Sequence, residues 1–373
     1  MHYAFFILHS RFQRVKLQFE STNDVRKERI NMSSTMKAVM ISKPGEVRLV
    51  ETAIPEPPVG FARVKVKAAA ICATDLEVID GRIPANYPLI PGHEWSGIVD
   101  AVGSDEDRHW IGQSVIGSND VVCLKCDACR SGNWRYCDEF EEIGFRRNGA
   151  YAEYIIVPVY GLCRKPERIS YAHAALCEPL GVALGTMEKA GAKFGDTLMI
   201  MGAGSIGLCM LAVGKAMGMR RIVVCASSRK RLALAEKMGA YATIATSEQD
   251  LMTEMKKLHP GGTDVIVDAT GIDECIRSCL KLAKKGGAVA LAGYGRGKVM
   301  DIRVDDIHIA NLRVVGAGNN WNMHKKAITL MEDGLIDISA FVTNQIRLED
   351  YAEGIELARK RPDGFVKAVF IHE

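Results

Sequence analysis

Several absences narrow the reading first. No apolar run approaches the ~20 residues that a membrane-spanning helix needs. The net charge is only +3 over 373 residues. Residues 1–35 hold six Lys or Arg against three Asp or Glu, so the rest of the chain is close to neutral. A nucleic-acid binder shows a basic surface, and this balance argues against one. No internal repeat or low-complexity segment is visible, which sets repeat arrays aside. A secretion signal is missing too. Tyr3–Leu8 is too short an apolar run for a signal core. Glu20, Asp24 and Glu28 then interrupt Arg11, Arg14 and Lys16, and transit peptides are poor in acids. Residues 1–35 are expected to be a disordered extension, with folded sequence from Met36.

Cysteine, by contrast, is plentiful, with eleven in the chain. Four of them cluster at metal-binding spacing. Without a secretion signal, thiolate–metal bonds in a reducing cytoplasm are a better reading than disulfides. The length allows two domains with real cores. Lys37–Met40, Val47–Val50, Val64–Ala69, Val99–Val102, Ser114–Ile116 and Ala152–Val157 are short β-rich runs. Pro55, Pro57 and Pro58 exclude a helix between them. Many short strands with turn signals suggest a partly closed β-barrel. After about residue 185 the pattern changes. Strands at Thr197–Met201, Ile222–Cys225, Asp264–Asp268 and Ala288–Leu291 alternate with helical stretches, which predicts a parallel sheet in an α/β fold. Lys367–Ile371 is β-rich again and is expected to return to the first domain.

Cys123-x2-Cys126-x2-Cys129-x7-Cys137 offers four thiolates within fifteen residues. Tetrahedral Zn²⁺ takes four such ligands on short loops, and a closed set of this kind is structural. A second set is dispersed. Cys72 follows a strand, His93 and Glu94 stand between Gly92 and Gly97, and Glu178 lies in an apolar context before Pro179. Thiolate, imidazole and carboxylate are the ligands of a catalytic zinc. Each alone has a plainer reading: a core cysteine, a core histidine, a carboxylate at a helix start.

Gly202-x-Gly204-x-x-Gly207, with Ser205 and Ile206 inside it, follows a strand and opens a helix. That is the context of a dinucleotide pyrophosphate loop. The second strand should end in an acid for the ribose hydroxyls. Here Ala226, Ser227, Ser228, Arg229 and Arg231 stand in that region and no acid does. Serine hydroxyls and arginine charge suit a 2′-phosphate, so NADP(H) is expected over NAD(H).

Gly92-His93-Glu94, the four-cysteine lobe, Cys72-x-Thr74-Asp75, Glu178-Pro179-Leu180 and the Gly202–Gly207 loop together resemble the zinc-dependent medium-chain dehydrogenases/reductases. Glu178-Pro179-Leu180 and Ile143–Ala150 are similar to the branch of sorbitol (L-iditol) and 2-deoxy-scyllo-inosamine dehydrogenases. The resemblance implies a GroES-like catalytic domain over 36–184 and a Rossmann domain over 185–320. It also implies a segment, 321–373, that returns to the first domain. Two zinc ions per chain and a homodimer or homotetramer follow from it. So does a reaction on a small-molecule alcohol or ketone in which Cys72, His93, Glu94 and Glu178 hold the metal and Thr74 takes the proton. Two departures stand out. Glu77 occupies the place of a relay histidine, and Asn319 and Asn320 replace the Arg-Tyr pair of polyol relatives. Both asparagines can donate and accept, which suits substrate hydroxyls or an amine. A threonine dehydrogenase and a non-catalytic binder on the same fold are the rival readings.

Overall fold

The computed structural model describes residues 35–318 and 321–372. The expected extension and the pair Asn319–Asn320 therefore lie outside the described residues, apart from Thr35, which opens the first strand.

Two sheets carry the molecule. The strand Phe61–Ala70 centres the first, a seven-stranded sheet. It pairs antiparallel with Glu94–Val102 on one side and with Lys367–Ile371 on the other. Tyr154–Pro158 also pairs with it. Ser114–Gly117, Leu162–Arg164 and Val342–Arg347 complete the sheet. The C-terminal strand thus adds to a sheet begun some three hundred residues earlier in the chain. Its Val369 and Phe370 are fully buried, and burying such side chains stabilises by roughly 1.5–3 kcal/mol each.

The second sheet has six parallel strands. Across it run Ala242–Ala245, Arg220–Ala226, Thr197–Met201, Thr263–Asp268, Ala283–Leu291 and Arg313–Gly316. In chain order these are third, second, first, fourth, fifth and sixth, the doubly wound order of a Rossmann fold. Its strands are apolar on both faces because helices cover both. Leu198 and Ile200 pack with Leu180, Leu208 and Met210 on one side. Met199 and Met201 pack with Met255, Cys279 and Leu280 on the other. The GroES-like and Rossmann architecture is as the sequence implied. The helix Cys177–Ala190 leads from one sheet to the other and ends at Gly191 with φ +65°. Edge strands Ala242–Ala245 and Val342–Arg347 were not expected. No helix among the described residues is long and apolar enough to cross a membrane.

Candidate metal centre and cofactor cleft

Cys72 caps the helix Ala73–Ile79 just after the strand Phe61–Ala70. His93 and Glu94 enter the neighbouring strand, where Glu94 stands opposite Ala70. That register brings the thiol beside the imidazole and the carboxylate. The turn that delivers His93 needs glycine: Gly92 has φ +99°, and a Cβ there would meet the Tyr151 ring at 2.4 Å. One donor atom each from Cys72, His93 and Glu94 lie within 4.8 Å of one another. Donors so placed can converge on one ion at bonds of ~2.0–2.3 Å.

Asp75 ties this group together. Fully buried, it takes His93 Nδ1 at 2.9 Å on Oδ1. Its Oδ2 accepts from the Cys72 N–H at 2.8 Å and from the Tyr151 hydroxyl at 2.6 Å. The Nδ1 contact leaves Nε2 as the ligand atom and fixes the ring, the usual support for a metal-binding histidine. Burial would raise the Asp75 carboxyl, but the His93 charge and these hydrogen bonds hold it below its ordinary value. Burial would lower His93 in the same way, and Asp75 lifts it well above the ordinary imidazole value. A metal ion binds the neutral ring, so its affinity here falls as the pH is lowered.

Glu94 supplies a further sign. Its Oε1 accepts from Lys367 Nζ at 2.8 Å, both groups being buried. Its Oε2 is buried with no hydrogen-bond partner among the described residues. A buried carboxylate oxygen is costly unless a cation meets it. The donor set and this orphaned oxygen fit a zinc ion. Glu178 is not one of the three clustered donors. It begins the helix Cys177–Ala190, lines the same cleft, and is pushed up to about 7, first by burial and then by Glu94 and Glu142. Thr74 Oγ1 lies 3.4 Å from Cys72 Sγ.

The four-cysteine lobe is built within itself. Sulfurs of Cys123, Cys126, Cys129 and Cys137 lie within 4.8 Å of one another. The Cys126 N–H donates to Cys123 Sγ at 3.4 Å, and the Cys123 N–H to Cys137 Sγ at 3.3 Å. Backbone N–H groups of Asp138 and Cys129 lower the Cys126 thiol to about 6, whereas burial pushes Cys129 up to about 12. Amides aimed at sulfur favour thiolates, and four thiolates suit a closed zinc site.

The glycine loop faces the same cleft, which encloses ≈ 910 Å³. Gly207 admits no side chain, since a Cβ would lie 1.8 Å from the Gly202 carbonyl oxygen. A Cβ on Gly204 would meet nothing within 4 Å, and Gly204 caps the helix Ser205–Ala216. Ser205 Oγ is buried without a partner among the described residues. A bare helix N-terminus with an unused hydroxyl fits a cofactor phosphate. Gly204, Ser205, Ile206 and Arg231 line the cleft. Ala226, Ser227, Ser228 and Arg229 are not among its lining residues. Ser228 caps the next helix, and Arg229 Nε pairs with Glu248 at 2.7 Å.

Sequence reasoning gave no role to Asp75, Tyr151 or Lys367. Asp75 was visible beside Cys72, but its partners lie 18 and 76 residues away. Glu77 is not idle. It pairs with Arg82 and, at 3.2 Å, with Arg296 from the Rossmann half.

The comparisons agree with this geometry. The family model of the alcohol dehydrogenase GroES-like domain matches residues 59–167, and that of the zinc-binding dehydrogenase matches 205–333. The chain belongs to the zinc-type medium-chain alcohol and polyol dehydrogenases, oxidoreductases that depend on NAD(P). It is 33% identical to the L-threonine 3-dehydrogenase of Pyrococcus horikoshii, over 91% of this chain and 99% of that one. It is also 33% identical to the erythritol/L-threitol dehydrogenase of Mycolicibacterium smegmatis, over 86% and 94%. The sorbitol dehydrogenase of Bacillus subtilis is 31% identical, over 87% and 93%. A Sinorhizobium meliloti dehydrogenase solved bound to NADP superposes with a TM-score of 0.84 at 32% identity, covering 91% of this chain and 100% of that one. An Escherichia coli alcohol dehydrogenase solved with NADH gives 0.85 at 27%, with the same coverage.

Proposed function

We propose that this chain moves hydride between a secondary alcohol of a polyol, cyclitol or aminocyclitol and NADP(H), using one catalytic and one structural zinc. The observation that carries the reading is the Cys72–His93–Glu94 cluster, with its orphaned carboxylate oxygen, whose Cys72 and His93 line the cleft that the glycine loop also lines. We place the enzyme in the cytoplasm as a homodimer or homotetramer.

Bound zinc supplies a Lewis acid that lowers the pKa of an alcohol, and bound nicotinamide takes up hydride. The protein does the rest. Cys72, His93 and Glu94 hold the ion, and Glu178 approaches as a further donor. Asp75 keeps the His93 ring in one orientation. Thr74 Oγ1, beside Cys72 Sγ, accepts the alcohol proton and hands it towards solvent. Lys367 offsets the charge of Glu94, so the ligand set repels less a negative charge growing on the substrate oxygen.

A panel of sugar alcohols, cyclitols, aminocyclitols and threonine, each with both cofactors, tests the reading. Turnover is expected with a cyclic or linear polyol and NADP⁺. A higher kcat/KM with NAD⁺ overturns the cofactor choice. Ala226→Asp should shift preference towards NAD⁺ by repelling the 2′-phosphate. A second reading, threonine oxidation, is favoured by Arg146, which lines the cleft and could meet a carboxylate. Turnover of threonine alone would establish it.

A further inference from the structure

Six cationic side chains gather where the two halves of the molecule meet. Arg82, Arg231, Arg296, Arg359, Lys360 and Arg361 line one recess, which shares Ala73 and Glu77 with the cofactor cleft. Four of the six are neutralised. Arg82 pairs with Glu77 and Asp80, Arg359 with Asp80, Lys360 with Glu356, and Arg296 with Glu77 at 3.2 Å. Arg231 and Arg361 are the exceptions, since neither has a carboxylate within ion-pair distance among the described residues. Arg361 commits only its Nε, to the Ala358 carbonyl at 3.3 Å. Both arginines also line the main cleft, together with Gly204 and Ser205 of the glycine loop. Partial desolvation in the cleft, and then the charges of Arg231 and Arg296, lower the Arg361 guanidinium below its ordinary value. Like charges held together repel, and an anion between them reverses the sign of the interaction.

Position in the fold says which anion. Arg231 lies in the first turn of the helix Arg229–Lys237, which follows the strand Arg220–Ala226. In a doubly wound sheet that strand ends at the adenosine ribose, where an acid would hold the 2′-hydroxyl. Arg361 belongs to the other half. It follows the helix Tyr351–Lys360, whose Ala358 shares a core with Phe370 of the C-terminal strand. Lys230 pairs with Asp363. That ion pair joins the two segments one residue before Arg231 and two after Arg361, so the start of one helix abuts the end of the other. The strand end itself supplies less. Ala226, Ser227, Ser228 and Arg229 do not line the cleft, and Arg229 is paired with Glu248.

Building on the NADP(H) reading proposed above, we infer that Arg231 and Arg361 hold the 2′-phosphate between the two halves and so set the preference for NADP(H) over NAD(H). A phosphate monoester carries about −1.5 to −2 charges near pH 7, which two guanidiniums match. Their planar forks also suit phosphate oxygens better than an ammonium does. NAD(H) has no group to place between them. Because each half contributes one arginine, NADP(H) ties the halves together where NAD(H) does not.

Fluorescence titration with NADPH and with NADH reads the preference without turnover. Wild type should bind NADPH ~100-fold more tightly than NADH, the yield of two charge-assisted contacts. Arg231→Gln and Arg361→Gln should each lower that ratio by ~10-fold or more. NADH affinity should change by less than ~3-fold, because a screened charge that touches nothing contributes little. Arg361→Lys should restore part of the ratio, with the charge but without the fork. Melting curves show whether each variant is folded. If Arg361→Gln does not fold, Arg231→Gln, at an exposed helix position, carries the test. Equal weakening of both cofactors would mean that the arginines meet the pyrophosphate, and it overturns the proposal. So does a preference that survives in both variants and is lost in Arg229→Gln, which would put the phosphate at the strand end. Either result leaves the NADP(H) reading standing. A wild-type protein that binds NADH as tightly as NADPH takes down that reading together with the proposal.

Discussion

The two cysteine-bearing clusters are made in opposite ways. Cys123, Cys126, Cys129 and Cys137 lie within fifteen residues, and nearby amides of their own loop point at the sulfurs. Cys72, His93 and Glu94 meet only because two strands pair in one register, and their supports are scattered. Tyr151 comes from a distant loop, and Lys367 from the C-terminal strand. The local cluster needs little beyond its own loop. The assembled cluster needs the finished fold, and in return it sits where cofactor and substrate can meet. This difference predicts that damage to the first is read as stability and damage to the second as chemistry.

Cys72→Ala is the most severe break. Removing one ligand should cost about 4 kcal/mol or more of transition-state stabilisation, a loss of ~1,000-fold in kcat. On the proposed reading of two zinc ions per chain and NADP(H), zinc content should fall towards one ion while NADPH still binds. Metal analysis beside fluorescence titration checks this, and retained turnover would sink the assignment of the centre. Cys126→Ser should do the reverse. It too should lose one zinc, but the melting temperature should fall by several degrees while the folded fraction keeps most of its kcat. A variant that melts like wild type and turns over poorly would erase the contrast between the clusters.

Legibility in the sequence follows the same divide. The cysteine lobe and Gly202–Gly207 could be read directly, because their geometry is set by near neighbours. Alternating strands and helices gave the doubly wound half for the same reason. The supports of the assembled centre were hidden. Nothing beside Lys367 in the chain marks it as the partner of Glu94, 273 residues away. Ala242–Ala245 was missed because an edge strand with two well-buried residues leaves little periodicity.

Asp75→Asn sharpens the contrast at smaller size. The ligands remain, but the charge that fixes His93 is lost. Removing a group of this kind usually weakens metal binding 10–100-fold. Competition with a chelator should show that loss at one zinc only, with the cysteine lobe unaffected. Equal weakening of both ions would mean that the two sites are coupled through the fold.

The smallest effect calibrates the others, because it touches stability and no metal. Asp264 joins two strands of the nucleotide half. Its Oδ2 accepts from the Thr197 N–H at 3.0 Å and from the Thr197 hydroxyl at 2.8 Å, and its Oδ1 from Lys284 at 2.6 Å. Burial opposes the charge, but Lys284 and Thr197 prevail and lower the carboxyl to about 2. A depressed carboxyl stabilises the fold above its unfolded value of ~3.9, and the contribution disappears as pH falls through about 2. Discounted for its partial exposure, the shift is worth roughly 1–2 kcal/mol. Asp264→Asn should lower stability by that amount in urea at neutral pH, with both zinc ions retained. The gap between wild type and variant should persist down to pH ~4 and narrow only below it. A gap that closes by pH ~5, or one accompanied by zinc loss, would show that the nucleotide half and the metal clusters share their stability.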